Sequence, residues 1–378
     1  MSTTDPPAPS APVPLREIEP ELRRQMNASQ RADGAPIVWA RMSNLVIFCD
    51  HPQASERMAA LVPEVMKTHP ARVLLLLADR GGGDSAPTGT AQVWCHRGEQ
   101  KQRIASEQVT IRAAGSAIEH LPFAVRALAI GDLPTNLWWA SLQPPALAGP
   151  LLDDLAEDAQ QVVYDSIGWM EPAKGVAATG SWLTRFERPL EHGRWRIASD
   201  LNWRRLKYWR RILGQALDPN SAPGAIESIS EVFVEHGPHG VVQAWELVSW
   251  LTTRLGWRVQ ACRVQPNVEI SWKAAAAHGA VSLRIHRLSE GEPDLRHVRI
   301  ACALEGKRGA LDLTIQEGRL TVVPEGIRAA PRTLTMPPQD LAQVVARQLS
   351  DREEDAVFRE TVKGAQLLAQ NVLGERAT

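Results

Sequence analysis

A strand–helix–strand unit near the N-terminus constrains the fold more than any other part of the chain. Residues 37–49 form a long run rich in apolar and β-branched side chains, and residues 71–78 are almost continuously apolar. Between these runs, residues 53–68 carry apolar side chains at helical spacing. Two apolar strands joined by a helix predict a βαβ unit whose parallel strands are buried on both faces.

The same alternation continues to about residue 218 and predicts a doubly wound α/β domain. Two alternating runs are expected to pair as antiparallel strands at the sheet edge, and helices and strands follow in turn. The predicted elements are strands at 91–97 and 103–111, a helix at 116–130, a strand at 136–141, a helix at 148–159, a strand at 161–164 and a helix at 172–190. This order is typical of a Rossmann-like, mostly parallel sheet.

A second domain is predicted after the turn-rich segment at residues 219–224, where the rhythm of the sequence changes. A strand and a strong helix come first, and strand-like runs with short glycine-containing turns then follow closely, as in an antiparallel sheet. Two helices are expected to close the chain. We therefore predict a disordered tail and short helix at 1–34, an N-terminal α/β domain at 35–218 and a C-terminal α+β domain at 225–374.

Composition argues against several functions. The formal net charge is −1, whereas proteins that bind nucleic acid by non-specific electrostatic attraction normally have a basic domain. The four cysteines occur singly, without a CxxC pair, as expected for reduced thiols in a cytosolic protein. The first fourteen residues have no apolar segment of signal-peptide type, and no apolar run is long enough to span a bilayer. We expect a cytoplasmic protein without membrane contact.

A basic, aromatic stretch just past the middle is the strongest candidate for a binding surface. Ser199 and Asp200 can cap a helix that is predicted to run to about residue 217. Its apolar stripe is expected to contain Leu206, Trp209, Leu213 and Ala216. The cations are Arg204, Arg205, Lys207, Arg210 and Arg211, with Trp203 among them. Arginine with aromatics is typical of a partner surface or an anion site, and a plain solvated face is the alternative.

The sequence carries no recognisable catalytic or metal-binding signature. Three consecutive glycines at 81–83 lack the spacing of a dinucleotide or phosphate loop, and no paired cysteines or GxSxG motif occurs. We therefore predict no catalytic residue, no metal and no cofactor. Acidic and aromatic residues near strand ends remain, namely Asp132, Trp138, Trp139, Asp165, Ser166 and Asp200. Carboxyl ends of strands line the crevice of an open α/β sheet, so some could meet there, although turn and cap roles are the alternative.

Several short motifs follow one another in a fixed order along residues 35–260. The motifs are Ser43-Asn44-Leu45-Val46-Ile47, His69-Pro70-Ala71-Arg72-Val73, Gly131-Asp132-Leu133-Pro134 with Leu137-Trp138-Trp139, Asp165-Ser166, Asp200-Leu201-Asn202-Trp203-Arg204-Arg205-Leu206 with Trp209-Arg210, Trp250-Leu251, and Arg254-Leu255-Gly256-Trp257. In this order and spacing they resemble the glucose-6-phosphate dehydrogenase assembly protein (OpcA) family.

The resemblance implies a non-catalytic allosteric activator that binds glucose-6-phosphate dehydrogenase, promotes its active oligomer and supports NADPH supply by the oxidative pentose phosphate pathway. It carries no catalytic role to any residue. The alternative is a sensor or enzyme that binds a sugar phosphate or nucleotide in the N-terminal domain crevice, with Arg205, Arg210 and the helix N-terminus as anion contacts. A sugar-phosphate effector is compatible with both hypotheses. A nucleic-acid-binding role for the basic helix is the least favoured.

Overall fold

The structure, a computed structural model, describes residues 8–33, 37–39, 41–97, 103–190, 195–304 and 307–377. In chain order the elements are β1 (Val13–Pro14), α1 (Ile18–Asp33), β2 (Ile37–Trp39), β3 (Ser43–Cys49), α2 (Pro52–Thr68), β4 (Ala71–Asp79), β5 (Ser85–Arg97), β6 (Arg103–Ala114), α3 (Leu121–Leu128), β7 (Thr135–Trp139), α4 (Pro150–Leu155), β8 (Ala159–Tyr164), α5 (Pro172–Phe186), β9 (Ile197–Asp200), α6 (Leu201–Arg205), α7 (Lys207–Ala216), β10 (Ile229–His236), α8 (Val241–Arg254), β11 (Arg258–Gln265), β12 (Glu269–Ala276), β13 (Gly279–Arg287), β14 (Leu295–Leu304), β15 (Lys307–Gln316), β16 (Arg319–Glu325), β17 (Arg332–Thr335), α9 (Leu341–Ser350) and α10 (Ala356–Ala377).

The first sheet has nine strands in the order β1-β5-β6-β4-β3-β7-β8-β9, with β2 beside β6. Along the spatial series β6-β4-β3-β7-β8-β9, each strand is parallel to the next one. Numbered in chain order from β3 and without β5, they follow the spatial order 3-2-1-4-5-6 of doubly wound dinucleotide-binding folds. The predicted Rossmann-like, mostly parallel sheet is confirmed.

The edge of this sheet differs from the prediction in two places. The single strand expected at 37–49 is two strands, because β2 pairs with β6 whereas β3 pairs with β4 and β7. The N–H of Met42 donates to the carbonyl of Pro70 between them, at 2.8 Å. The antiparallel β5–β6 pair is confirmed, but β6 lies inside the sheet, between β5 and β4.

The N-terminal segment packs on this edge. Residues 1–7 of the predicted disordered tail lie outside the described residues. Farther along, the N–H of Ser10 donates to the carbonyl of Ala91 at 2.9 Å, and β1 pairs with β5. Helix α1 buries Ile18, Leu22 and Met26, as its apolar spacing predicts. The proline-rich composition of the tail gave no sign of this pairing.

The second sheet has eight strands in the order β11-β12-β13-β10-β14-β15-β16-β17. Its pairs are antiparallel except for β10 and β13. The predicted α+β half with a mostly antiparallel sheet is confirmed. Helix α10 packs along α8 and β11 of this half and along α5 of the first, and α9 packs on α2. The closing helices therefore join the two sheets.

No helix within the described ranges combines the length and the apolar content that a membrane crossing requires.

Candidate functional site at the carboxyl edge of the first sheet

The turn between β3 and α2 occupies the position at which doubly wound enzymes bind a dinucleotide. Its residues are Cys49-Asp50-His51-Pro52, so the glycines that let backbone approach a pyrophosphate are replaced by an acid, an imidazole and a proline. His51 caps its own helix, because its Nδ1 accepts from the N–H of Gln53 at 3.3 Å. Asp50 accepts from the hydroxyl of Ser141, which follows β7, at 2.5 Å. Polar side chains of the protein are therefore bonded to each other between β3 and β7, where the strand order of the sheet reverses.

The turns after β8 and β9 bring together three residues that the sequence predicted to share a crevice. The Asp200 carboxylate accepts from the N–H of Asn202 at 2.9 Å and so caps α6. The same oxygen accepts from the N–H of Ser166 at 3.2 Å, and the Asn202 amide donates to the Ser166 hydroxyl at 2.7 Å. Ser166, Asp200 and Asn202 are buried. Asp165 lies one residue before Ser166, so the expected gathering of the three polar residues occurs.

Arg205 closes this cluster from the end of α6. Its guanidinium donates two hydrogen bonds to the Asp165 carboxylate, at 2.8 and 2.9 Å, and a third to the Asn202 amide oxygen at 3.2 Å. The Arg205 side chain is 8% exposed. It also lines a cavity of about 400 Å³ beside α7 and the second sheet. The pair with Asp165 uses the Nη1–Nη2 edge of the guanidinium, so an anion that took this edge would have to displace Asp165.

Asp200 has a second partner in the other half of the chain. Burial, followed by the nearby Asp165 charge, raises the pKa of Asp200 to about 7. Burial and the Asp200 carboxyl raise the pKa of Glu246, on α8, well above its usual range. Both side chains line one small buried chamber at the junction of the two halves, and the Glu246 Oε2 atom has no hydrogen-bond partner among the described residues. They form a buried carboxyl pair in which each charge disfavours ionisation of the other. Motif reasoning missed Glu246 because a single acid in a predicted helix has no motif around it.

Arg210 and Trp203 also bind inside the protein. The Arg210 guanidinium lies 3.3 Å from the Trp203 ring centroid and donates to the Trp203 carbonyl at 3.2 Å. The indole N–H of Trp203 donates to Asp355 at 2.7 Å. Burial lowers the pKa of Arg210 to about 10, and the charges of Asp355 and Glu246 partly offset this, so the side chain stays charged at neutral pH. This group ties α6 and α7 to α10.

The basic stretch is therefore divided between internal and exposed cations. Arg204 donates to Gln348 and to Asp351, both at 3.1 Å, and its side chain is 18% exposed. Lys207 and Arg211 are exposed and have no side-chain partner among the described residues. The single helix predicted here is two helices, α6 and α7, with Leu206 between them. Its predicted apolar stripe is confirmed, since Leu206, Trp209, Leu213 and Ala216 are buried.

The remaining three candidates lie elsewhere. Asp132 is exposed and precedes β7, at the opposite edge of the sheet from Asp165 and Asp200. Trp138 and Trp139 are both 1% exposed in β7. The Trp139 ring stacks on Phe48 with centroids 4.2 Å apart. These three residues do not join the cluster, and the geometry gives the tryptophans a packing role.

A crevice between the two halves was not foreseen from the sequence. It encloses about 280 Å³ and is lined by Trp169 from the first half and by His236, Trp245 and Arg287 from the second. The carbonyl of His239 accepts from the N–H of Gly168 across the junction, at 3.2 Å. The Nδ1 of His236 bonds the Gly237 carbonyl at 2.7 Å, and burial lowers the pKa of His236 to about 4. His236 is therefore neutral at physiological pH.

The cysteines give little support to thiol chemistry. Cys49 and Cys302 are free thiols and are buried. Burial raises the pKa of Cys49 to about 12 and also raises that of Cys302. Since the thiolate is the reactive form, these two thiols are poor nucleophiles. No group of three or more potential metal ligands occurs among the described residues.

Fold and site together define a doubly wound α/β protein. Its β3–α2 turn has no glycine, and Asp50 of this turn is bound by Ser141. At the turns after β8 and β9, Arg205 binds Asp165. Two family models specify the protein further. The model described as the glucose-6-phosphate dehydrogenase subunit N-terminal domain matches residues 62–181, and that of the C-terminal domain matches residues 196–362. Together they cover about three quarters of the 378 residues, and the chain belongs to this family, OpcA.

Named relatives agree with this membership. An OxPP cycle protein OpcA of Nostoc punctiforme is 30% identical over 202 residues, which are 52% of this chain and 40% of the relative. The corresponding protein of Synechocystis is 23% identical over 212 residues, 56% of this chain and 42% of the relative. The matched part thus spans less than half the length of these relatives.

Solved structures of similar topology include the transcriptional regulator Gal80p from Kluyveromyces lactis. It is 9% identical, covers 89% of each chain and has a TM-score of 0.49. Biliverdin reductase from Synechocystis, solved with biliverdin and NADP+, is 13% identical, with coverage of 88% of this chain and 99% of the reductase and a TM-score of 0.45. At this distance the likenesses carry no functional conclusion.

Proposed function

We propose that this chain is a cytoplasmic, non-catalytic partner that binds glucose-6-phosphate dehydrogenase and promotes its active oligomer, supporting NADPH supply by the oxidative pentose phosphate pathway. Membership of the OpcA family supports the partner. The observation that carries the non-catalytic role is the β3–α2 turn, where Asp50 binds Ser141 and no glycine lets a pyrophosphate approach the backbone. An acid at this turn also repels phosphate.

The exposed side of α7 is the docking surface that we propose. Lys207 and Arg211 are one helical turn apart, so their charges lie on one face. Gly214 and Gln215, farther along the helix, are also exposed. The other cations of the stretch, Arg204, Arg205 and Arg210, hold the fold together, so replacing them would confuse loss of folding with loss of docking.

The test is a dehydrogenase assay, with and without this chain, joined to size-exclusion chromatography of the mixture. We expect co-elution and a rise in activity. The double variant Lys207→Glu/Arg211→Glu should fold normally and weaken both effects by about tenfold or more, as expected when a charged partner surface is reversed. Arg258→Glu/Lys273→Glu is the matched control, because it makes the same charge change at exposed positions of the second sheet.

If the wild-type chain neither co-elutes with the dehydrogenase nor changes its kinetics, the proposed partner is wrong. If the wild type activates and the α7 double variant activates equally well, the partner stands and the docking surface lies elsewhere.

The alternative of a sugar-phosphate or nucleotide site in the N-terminal crevice lacks free anion contacts. Arg205 is bound to Asp165, and Arg210 is stacked on Trp203. A thermal-shift measurement with NADP tests this alternative directly, because binding at the β3–α2 turn would raise the melting temperature.

A further inference from the structure

The crevice between the two halves contains two buried hydrogen-bond donors that the protein does not use. The indole N–H groups of Trp169 and Trp245 have no partner in the described part of the chain, although these side chains are only 6% and 1% exposed. Buried tryptophan N–H groups usually find an acceptor. Both residues line the crevice. A ligand that reached between these two side chains would bring them an acceptor.

Other buried tryptophans of the chain show that this pattern is local. The Trp139 N–H donates to the Gln143 carbonyl at 2.9 Å, that of Trp203 to Asp355 at 2.7 Å, and that of Trp272 to the Leu368 carbonyl at 3.3 Å. The fold thus supplies an acceptor for each of these three tryptophans, which lie away from the crevice. The two unpaired donors come from different halves of the chain, and their side chains line the same crevice.

The inner end of the crevice offers hydrogen bonds without a fixed charge. A small chamber of about 10 Å³, the size of one water, adjoins it and is lined by Trp169, Trp245, Asp200 and Glu246. The pKa values of both carboxyls are raised, so a protonated member of the pair can donate and an ionised member can accept. Two indole N–H groups beside such a pair suit hydroxyl or carbonyl oxygens, and the flat indole faces suit the apolar face of a sugar ring.

The outer end of the crevice is cationic. Arg287 is half-buried, and its side chain makes no ion pair or hydrogen bond with another described residue. Glu269, which also lines the crevice, is bound by Arg284 at 2.8 and 3.1 Å, so its charge is compensated. A guanidinium without a carboxylate partner suits a phosphate or carboxylate.

We propose that this crevice binds a small hydroxylated anion of sugar-phosphate or sugar-acid type, with its hydroxyls toward Trp169 and Trp245 and its anionic group toward Arg287. The volume of about 280 Å³ lies near the lower end of the range for small-molecule sites. Because the walls come from both halves, the ligand fixes their relative position. This inference concerns the chain alone and does not depend on the proposed partner.

The test is calorimetric titration of the full chain with glucose 6-phosphate, 6-phosphogluconate, glucose and inorganic phosphate, each at up to millimolar concentration. We expect saturable binding of the first two, weaker binding of glucose and the weakest binding of inorganic phosphate. Trp169→Phe and Trp245→Phe keep an aromatic ring and remove the indole N–H, so each should weaken binding by about tenfold. Arg287→Gln should abolish the preference for glucose 6-phosphate over glucose.

Trp139→Phe is the matched control, because it removes an N–H that is already bonded inside the protein, outside the crevice; binding should not change. If none of the four compounds shows saturable binding, the proposal is wrong, and water is then the partner of the two N–H groups. Binding of inorganic phosphate as tight as that of glucose 6-phosphate also overturns it, as does undiminished binding by folded Trp169→Phe and Trp245→Phe variants.

Discussion

Two strand-to-helix turns on the same edge of the first sheet have opposite characters. The β3–α2 turn lies where related folds bind a dinucleotide, and His51 at its helix start is exposed. The β9–α6 turn lies at the end of the sheet, and its helix cap, Asp200, is 2% exposed. Both side chains accept from the N–H two residues later, at 3.3 and 2.9 Å. The same local capping contact is therefore placed in two different environments.

The difference shows where this chain has placed its buried polar groups. At the β9–α6 turn, Asp200 lines a buried chamber together with Glu246 from the second half, and Arg205 binds Asp165. Polar groups at this turn join elements of the chain to one another. At the β3–α2 turn the nearest cross-strand bond is the one between Ser141 and Asp50. The polar groups therefore lie at the junction of the two halves at only one of the two turns.

The largest expected effect is that of Arg205→Ala, which breaks the buried turn. It removes the guanidinium from Asp165, whose Oδ1 keeps only the N–H of Ile167 at 3.1 Å, and it leaves the Asn202 amide oxygen without a donor among the described residues. Removing one partner of a fully buried pair costs about 3–5 kcal/mol. Because Asp165 is 22% exposed, we expect the lower end of this range, a loss of about 3 kcal/mol in the free energy of unfolding. Urea or thermal unfolding followed by circular dichroism measures it.

The exposed Lys207→Ala, two residues farther along, serves as control and should stay within about 0.5 kcal/mol of the wild type. Equal stability losses for the two variants would show that the Arg205 contacts contribute nothing beyond ordinary surface packing.

The second prediction concerns pH and the Asp200 carboxyl. Because its pKa is raised to about 7 in the folded chain, mainly by burial, the folded state holds a proton that the unfolded state releases near pH 4. The stability contribution of Asp200 is thus fully present at low pH and falls as the pH rises from about 4 to about 7. Asp200→Asn keeps an acceptor for the helix N–H and removes this fall.

We therefore expect the stability of Asp200→Asn relative to wild type to rise between about pH 4 and pH 7, by on the order of 2 kcal/mol. Burial lowers the pKa values of His69 and His236 to about 4, which gives the opposite slope, but these groups occur in both proteins and cancel in the difference. Urea unfolding of the pair at several pH values gives the result, and parallel pH profiles would rule out a buried, protonated Asp200.

The sequence was sufficient for the fold wherever the signal was local and repeated. The apolar runs that form β3 and β4, with the helical spacing between them, specify the βαβ unit because both strands are buried on both faces. Strand β9 was missed because its four residues end in Ser199 and Asp200, which have the composition of a helix cap. Asp200 in fact ends the strand and caps the helix at once.

The candidate site was less predictable because its contacts are long-range. The sequence showed five cations close together, but not that Arg204 meets Asp351 or that Trp203 meets Asp355, each about 150 residues away. Glu246 gave one usable sign: it is the single acid in a helix rich in Val, Leu and Trp. The unused Trp169 and Trp245 donors have no sequence signature, since their meaning depends on missing acceptors.

The smallest expected effect is that of His51→Ala, which tests the exposed member of the two turns. Its cap bond is long, at 3.3 Å, and solvent can replace it, so the loss should be about 0.5 kcal/mol or less. Asp340→Ala calibrates the result, because Asp340 is an exposed carboxylate cap that accepts from the Gln343 N–H at 3.0 Å and should cost about 1 kcal/mol. Thermal unfolding of both variants gives the comparison. A His51→Ala loss larger than that of Asp340→Ala would mean that the β3–α2 turn, too, carries a stabilising polar arrangement, and the contrast between the two turns would not hold.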